Sequence, residues 1–344
     1  MRIVLTGGGT GGHVIPNVAI LEELIKRIPN ENLLYIGSKK GPEREHIKRF
    51  GIEFKSVQCG KLRRYLSLKN LVDFARMPIG ILQARRILKK FKPDKVFSKG
   101  GYVSVPVVIA ARMLKIPVIL HESDLSPGLA NRISARFADK ICVSFKESKK
   151  YFQKKEVIVT GNPVRQLIFN GGKENGFKLT GFDSDKPIVL VMGGSSGAQE
   201  LNDLVYSSLP VLLRHCHVAH ITGRGKGGLD NIKGKLKGYK QFEYLNDELA
   251  DLYAITDLVV TRAGANTLAE ISALGLPSVL VPLSTKASRG DQVENAKLFE
   301  EKEMAIYLKE DSRFAQTITT ALKHLDSFKC VKNNAVEKIV ALLT

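Results

Sequence analysis

Residues 6–16 read TGGGTGGHVIP, and residues 193–202 read GGSSGAQELN. Each glycine run follows a short apolar stretch, Met1–Thr6 in the first case and KPIVLVM (186–192) in the second, and each leads into helical spacing. In VIPNVAILEELIKR (14–27) that spacing is carried by Val18, Leu21, Leu24 and Ile25. Strand, bare turn and helix are therefore written twice in one chain. Around the first copy, NLLYIGS (32–38), KVFSKGG (95–101), IPVILHE (116–122) and DKICVS (139–144) read as strands separated by helical patterns. After GNPVR (161–165) and a Gly/Lys/Asn-rich stretch (170–186) the second series begins, continued by HVAHITG (217–223), DLVVTRAG (257–264) and PSVLVPL (277–283). Strands alternating with helices predict an α/β fold with parallel sheets, and the repeated opening predicts two similar domains in tandem. We place the first at 1–162 and the second at 163–327. KNNAVEKIVALLT (332–344) predicts an amphipathic terminal helix, within about 328–344, that packs back on the first domain.

The chain of 344 residues exceeds the usual size of one core, which agrees with two domains. Its 44% hydrophobic and 25% charged residues are those of an ordinary globular protein. The longest apolar candidate, VPVVIAARMLKIPVIL (105–120), contains Arg112, Lys115 and two prolines, so no membrane-spanning helix is expected. An apolar run of three, Ile3–Leu5, before the glycines is too short for a signal peptide, and a cytoplasmic location is expected. Cys59, Cys142, Cys216 and Cys330 are scattered and read as reduced thiols. Net charge is +19, and it is lopsided: residues 1–162 hold 31 Lys and Arg against 13 Asp and Glu, whereas the rest is nearly balanced. A basic half suits nucleic acid, anionic lipid or an acidic substrate. Nucleic acid is disfavoured, because the chain has no Trp and little Tyr among those charges for base stacking.

A strand-to-helix turn without side chains leaves N–H groups free at a positive helix end, which suits phosphate or another anion. Gly7, Gly9 and Gly12 fit the dinucleotide spacing, but that reading needs a carboxylate at the end of the next strand, where the chain has Ile36-Gly37-Ser38. Gly193-Gly194-Ser195-Ser196-Gly197 fits the nucleophile elbow of hydrolases, with Asp257 and His324 as formal partners. His324 lies in the charged stretch TALKHLDSF, which reads as a surface helix, and a hydrolase would leave the first turn idle. RHCHVAH (214–220), read as one strand, puts His215 and His217 on one face and Cys216 on the other; an ordinary sheet strand is the simpler reading than a metal site. Asp183-Ser184-Asp185 matches a metal-holding D-x-D, but its Lys-flanked position before a strand reads as a turn.

Seven segments resemble, in order, blocks of the MurG-type transferases of peptidoglycan synthesis: GGTGGHVIP (8–16), SKGGYVSVP (98–106), HESDLSPGLANR (121–132), GNPVR (161–165), GGSSGAQELN (193–202), RAGANTLAEISALGLPSVLVP (262–282) and RGDQVENA (289–296). The resemblance implies a GT-B glycosyltransferase, with two Rossmann-like domains facing across a cleft. It implies metal-independent, inverting transfer of N-acetylglucosamine from UDP-N-acetylglucosamine to lipid I, giving lipid II, with no cofactor. The implied donor contacts are Thr10, Gly11 and Gly12 of the first glycine loop, Asp124, Arg165, Ser195, Leu245, the run Ala265, Asn266, Thr267, Leu268, Ala269 and Glu270, and Gln292. Glu270 can accept two bonds from ribose hydroxyls, and the amide of Gln292 can both donate to and accept from a sugar hydroxyl pair. Gly100, Gly101 and Tyr102 are the implied acceptor contacts, and Lys61, Arg63 and Arg64 of a basic loop are, by their charge, candidates to meet the acceptor's phosphates or lipid headgroups. By the same resemblance the first domain faces acceptor and membrane, and the second holds UDP-N-acetylglucosamine.

The chain departs from the family at His121-Glu122-Ser123-Asp124, where H-E-Q-N is usual, so a carboxylate replaces the amide that meets the acetamido group. Asp291 stands where many members have Gln or His. His13, directly after the glycine loop, is the expected base, since an ordinary histidine titrates near pH 6.5, about where proton transfer at neutrality needs it. Glu122 is the alternative base or the residue that orients His13; its other reading is a carboxylate bonded to nearby backbone. Arg165, Ser195 and helix-end N–H groups are expected to neutralise the departing diphosphate.

SLKNLVDFARMPIGILQARRILKKFK (67–92) mixes Leu71, Phe74, Met77, Ile79, Ile81 and Leu82 with Arg76, Arg85, Arg86, Lys89 and Lys90. It reads as a basic amphipathic helix suited to an anionic membrane, or as a core helix with a charged face, interrupted at Pro78 and Gly80. The implied partners are the donor nucleotide, lipid I, an anionic membrane surface and other cell-wall synthesis proteins; the implied location is peripheral, on the cytoplasmic face of the membrane. Transfer to another glycolipid such as diacylglycerol, and a UDP-N-acetylglucosamine epimerase or hydrolase on the same fold, are the alternatives.

Overall fold

A computed structural model describes residues 1–39, 41–60, 68–194, 197–228, 236–283, 290–309, 311–329 and 334–344, with 68–75 in backbone only. It divides into two compact units, Met1–Arg165 with Asn334–Thr344, and Gln166–Asn333. The returning segment thus begins at 334, later than the sequence suggested.

The first unit is a seven-stranded parallel sheet, made of β1 (Ile3–Thr6), β2 (Leu33–Ser38), β3 (Glu53–Val57), β4 (Lys95–Ser98), β5 (Val118–Glu122), β6 (Lys140–Val143) and β7 (Glu156–Val159), in the order β3-β2-β1-β4-β5-β6-β7. Side chains alternate across it. Ile3, Leu5, Leu33, Tyr35 and Phe97 join the core on one face, and Val4, Leu34, Ile36 and Val96 the core on the other. Covered on both faces, β1 and β2 are buried at every position, which is why they read as unbroken apolar runs. The edge strand β3 alternates little and exposes Glu53, Lys55 and Ser56, a pattern that gave no strand signal in the sequence.

Helices α1 (Gly11–Leu24), α2 (Glu43–Lys48), α3 (Leu68–Phe91), α4 (Ser104–Met113) and α5 (Leu129–Ala135) connect these strands. α3 runs unbroken through Pro78, contrary to the expected interruption. Gly80 is there for proximity: a Cβ would collide with the Gln58 carbonyl just after β3. The terminal helix α12 (Ala335–Leu343) returns to this unit and buries Ile339, Val340 and Leu343 in the α1 core, while Lys95 Nζ donates to the Leu342 carbonyl at 2.9 Å.

The second unit is a six-stranded parallel sheet of β8 (Ile188–Met192), β9 (His217–Ile221), β10 (Tyr239–Phe242), β11 (Leu258–Thr261), β12 (Ser278–Leu280) and β13 (Ile306–Tyr307), in the order β10-β9-β8-β11-β12-β13. Its helices are α6 (Lys173–Thr180), α7 (Gln199–Leu212), α8 (Glu248–Ala254), α9 (Ala265–Leu274), α10 (Asp291–Glu301) and α11 (Phe314–Ala321). The Gly/Lys/Asn-rich stretch at 170–186, which precedes the second series of strands, contains α6. Its Gly176 lets the helix lie close on α8, since a Cβ there would strike the Asp251 carbonyl.

RHCHVAH does not form one strand. β9 starts at His217, so exposed His215 and buried Cys216 precede it. His217 Nε2 bonds Asp185 Oδ1 at 2.7 Å and its ring stacks on Phe182, whereas His220 lies between Asn202 Oδ1 (3.0 Å) and the Tyr239 hydroxyl (3.1 Å). These side chains are spent on packing. The D-x-D segment is a turn whose Asp185 carboxylate is engaged by His217.

Candidate active site

In an open parallel sheet the connections leave a crevice at the strands' carboxyl ends where strand order reverses. That point is β1/β4 in the first unit and β8/β11 in the second. Nearly all the described site residues expected from the sequence follow those strands or their neighbours.

The first glycine turn is held from several sides. The Tyr35 hydroxyl donates to the Gly7 carbonyl at 2.8 Å, and Asn17 Nδ2 to the Thr6 carbonyl at 3.2 Å. Gly9 has φ +87°, and a Cβ there would collide with the Tyr102 ring. On the far side stands Glu43, fully buried, which accepts from Ser38 N at 2.6 Å, Ser38 Oγ at 2.5 Å and Gly9 N at 3.4 Å. The carboxylate that a dinucleotide site requires after β2 is thus present in space, supplied from five residues past the strand's end. It is turned inward onto the glycine turn, however, and one of the turn's N–H groups already holds an anion of the protein's own. Beyond the turn, Thr10 and Gly12 are exposed, Gly11 is half-buried and His13 sits in the first turn of α1.

Gly100 and Gly101 were expected to meet the acceptor. Both are buried and serve as close contacts: a Cβ at Gly100 would run into Asn131, and one at Gly101 would lie 2.9 Å from His13 Cδ2. Tyr102 packs its ring on Gly9 and is half-buried. Glu122, at the end of β5, accepts from Asp124 N (3.0 Å), Gly128 N (3.2 Å) and Asn131 Nδ2 (2.8 Å). Through these bonds it shapes the 122–131 loop.

Under this loop lies Lys99. Its buried Nζ donates to Ser123 Oγ, which donates to Asn162 Oδ1 at 3.2 Å. Burial pushes the ammonium down to about 8, although Glu122 and Asp124 pull the other way. The neighbouring His121, also pressed well below its usual value by burial and then by the charge of Lys99, donates Nε2–H to the Gly161 carbonyl at 2.8 Å. Asp124 is half-buried. Arg165 closes the unit, half-buried; burial first, then Arg49 and Arg165, hold His46 below the ordinary histidine range, so cations gather there.

In the second unit, Gly194 (φ +83°) opens the turn after β8, and Lys226 Nζ donates to the Gly197 carbonyl at 3.2 Å. Across the reversal point, α9 begins at Ala265 with Gly264 as its extended N-cap, so its positive end lies at the strands' carboxyl ends. Ala265 and Leu268 are buried and pack the helix down, leaving Asn266, Thr267 and Ala269 half-exposed. Glu270 is buried, and its Oε2 accepts from the Tyr253 hydroxyl at 3.2 Å. Gln292 Oε1 accepts from Leu283 N at 3.1 Å, while Leu245 is half-buried in the loop after β10. Arg262 ties the end of β11 to the carbonyls of Val281 and Pro282 (3.0 and 3.1 Å) and to Glu200 (2.9 Å). Ser195, Lys61, Arg63 and Arg64 lie outside the described residues.

Sequence reading missed Glu43, Lys99 and Tyr253. Glu43 could have been noticed only as an acid downstream of a glycine-interrupted strand end, and Lys99 as the residue between β4 and the Gly100-Gly101 pair. Tyr253 carried no local signal.

The Glycosyltransferase family 28 N-terminal domain matches residues 3–143, and the family's C-terminal domain matches residues 188–341. The chain is 46% identical to the UDP-N-acetylglucosamine--N-acetylmuramyl-(pentapeptide) pyrophosphoryl-undecaprenol N-acetylglucosamine transferase of Lachnospira eligens, over 99% of this chain and 98% of that protein. It is 47% identical to the enzyme of the same name from Clostridium botulinum strain 657, covering 98% and 94%. Among solved structures, Acinetobacter baumannii MurG superposes with a TM-score of 0.76 at 24% identity, covering 99% of each chain. UDP-GlcNAc 2-epimerase from Neisseria meningitidis, bound to UDP-GlcNAc, superposes at 0.68 with 15% identity, covering 100% and 99%. Such structural likenesses establish the fold, the GT-B type expected above. With both domain models matched in order and nearly half of all residues shared along the full length, the chain belongs to glycosyltransferase family 28.

Proposed function

We propose that the enzyme transfers N-acetylglucosamine from UDP-N-acetylglucosamine to the undecaprenyl-pyrophosphoryl N-acetylmuramyl pentapeptide, lipid I, and so makes lipid II. The observation that carries this reading is the identity of nearly half over the whole length of relatives that bear that name.

The second unit holds the nucleotide. Glu270, fixed from behind by Tyr253, accepts from the ribose hydroxyls; Leu245 lies along the base; Gln292 meets sugar hydroxyls. The first turn of α9, Ser195 and Arg165 stabilise the diphosphate as it leaves, with no metal in the step. The first unit handles the acceptor. His13 takes the proton of the attacking hydroxyl in one inverting displacement. The exposed Thr10 and Gly12 border it, and Glu122 keeps the 122–131 loop, with Asp124 toward the sugar's acetamido group, in place. Lys61, Arg63 and Arg64 attract the acceptor's pyrophosphate.

Among the described residues no helix is long and apolar enough to cross a membrane. α3 supplies a peripheral contact instead. Ile79 (46% exposed) and Leu82 (54%) share its outer face with exposed Arg76, Arg86, Lys89 and Lys90, a mixture that suits anionic headgroups on the cytoplasmic side.

The test incubates labelled UDP-N-acetylglucosamine with and without a lipid I analogue. Label is expected in the lipid only when the analogue is present. Label released as free sugar or converted to an epimer without lipid would replace this reading with a hydrolase or epimerase, and transfer to diacylglycerol instead would replace the acceptor.

A further inference from the structure

We infer that Glu43 is a positioning residue for the reaction: its carboxylate stands as a resident anion against Ser38 and Gly9, presets the turn that leads into His13, and closes this corner of the first unit to nucleotide. The inference rests on the transferase reading above.

The local structure is built around this one side chain. Both of its oxygens accept, one from the backbone N–H and the hydroxyl of Ser38 (2.6 and 2.5 Å), the other from Gly9 N (3.4 Å). Three glycines from two loops and a strand end make room for it. A Cβ at Gly8 would lie 2.7 Å from its Cδ, one at Gly37 would lie 2.7 Å from its Cγ, and one at Gly41 would collide with its carboxylate. Burying a carboxylate among neutral donors is unfavourable for folding. Its partners among the described residues, Ser38 and Gly9, are neutral donors, three in all, and the carboxylate is the acceptor that satisfies them together.

The placement gives a further reason. Gly9 is clamped between Glu43 on one side and the ring of Tyr102 on the other, four residues before His13. The ring of His13 in turn abuts Gly101, whose own Cβ would lie 2.5 Å from the Gly8 carbonyl. Turn, base and the Gly100-Gly101 loop are therefore one interlocked set, and Glu43 fixes its free edge. The same carboxylate occupies the corner after β2 where a dinucleotide's ribose is held in related folds, and it repels a phosphate approaching the turn. One glycine turn is thereby reserved for positioning, and nucleotide binding is left to the other unit.

Three variants test this: Glu43→Gln, of equal size without charge, Glu43→Ala, and the conservative Glu43→Asp. For Glu43→Gln, kcat should fall by about a hundredfold, the scale of a small misplacement of catalytic groups, with donor KM and UDP affinity unchanged. Glu43→Ala should lose as much and recover in part on addition of formate, but not formamide, and formate should raise its melting temperature and not that of the wild type. Glu43→Asp should retain more activity than either. Wild-type kcat in Glu43→Gln, a folded Glu43→Ala that formate neither reactivates nor stabilises, a parallel loss of UDP affinity, or loss of the fold in both Gln and Ala variants would each overturn the inference. Failure of the functional reading shows separately, as wild-type enzyme that moves no sugar to a lipid I analogue, and the formate effect on melting decides the role of Glu43 even then.

Discussion

The Tyr253 hydroxyl donates to Glu270 Oε2 at 3.2 Å, linking the last turn of α8 to α9. The bond fixes one carboxylate oxygen in place. Hydrogen bonds to a charged group contribute about 1.5–3 kcal/mol. Glu270→Ala should therefore raise donor KM by about 10–100-fold, and Tyr253→Phe, which frees the carboxylate without removing it, by only a few-fold. Steady-state kinetics with varied UDP-N-acetylglucosamine checks both; an unchanged KM in Glu270→Ala would remove this residue from the donor site.

The proposed stabilisation of the leaving diphosphate by protein donors would make Arg165 a kinetic residue. A preorganised donor of this kind is worth about 3–4 kcal/mol, so Arg165→Ala should cut kcat on the order of a hundredfold with little change in thermal stability. EDTA should leave turnover intact. Activity lost to EDTA and restored by magnesium would return attention to acidic residues as metal holders, although Asp185 is already bonded to His217.

The outer face of α3 should bind vesicles that contain acidic phospholipid, more weakly as salt rises, each cation near the surface contributing roughly 1 kcal/mol. Replacing Ile79 and Leu82 by Asp should abolish co-sedimentation while activity on a water-soluble acceptor analogue stays near wild type. Equal binding to neutral vesicles would mean that charge has no part in docking.

Both sheets were legible because their central strands are buried on two faces and so spell continuous apolar runs after and before glycine turns. The His-Cys-His stretch misled, since alternation was read across residues that precede β9, and α3 misled because the long helix accommodates Pro78 and its Gly80 answers to the close Gln58 carbonyl. The residues of α9 proposed for the donor site were legible as a motif because that helix begins shortly after β11. Glu43 and Lys99 were not, because their roles depend on loops folding back over a strand end, a relationship that no local spacing encodes.

The return of α12 to the first unit is a matter of burial. Ile339 and Leu343 are fully buried against α1, so Leu343→Ala should destabilise the protein by about 2–5 kcal/mol. Chemical denaturation followed by circular dichroism would register this as a lower midpoint; no shift would mean that the helix is dispensable to the first unit.

Acid should weaken the second unit. Burial holds the His220 ring down to about 3, so the folded protein keeps it neutral while the unfolded chain takes up a proton below about 6.5. Stability is complete above that value and falls as pH drops toward 3, by up to about 1.4 kcal/mol per pH unit for one proton. His220→Gln should flatten this dependence in thermal melts between pH 6.5 and 4, and an unchanged slope would assign acid lability to other groups.

The geometry of the new glycosidic bond decides the main conclusion. With UDP-N-acetylglucosamine and a lipid I analogue, proton NMR of the purified product should give the large anomeric coupling of a β-linked disaccharide, formed from an α-linked donor by one displacement with inversion. An α-linked product would rule out that displacement, and N-acetylglucosamine recovered free or as its epimer, with the acceptor untouched, would rule out transfer altogether.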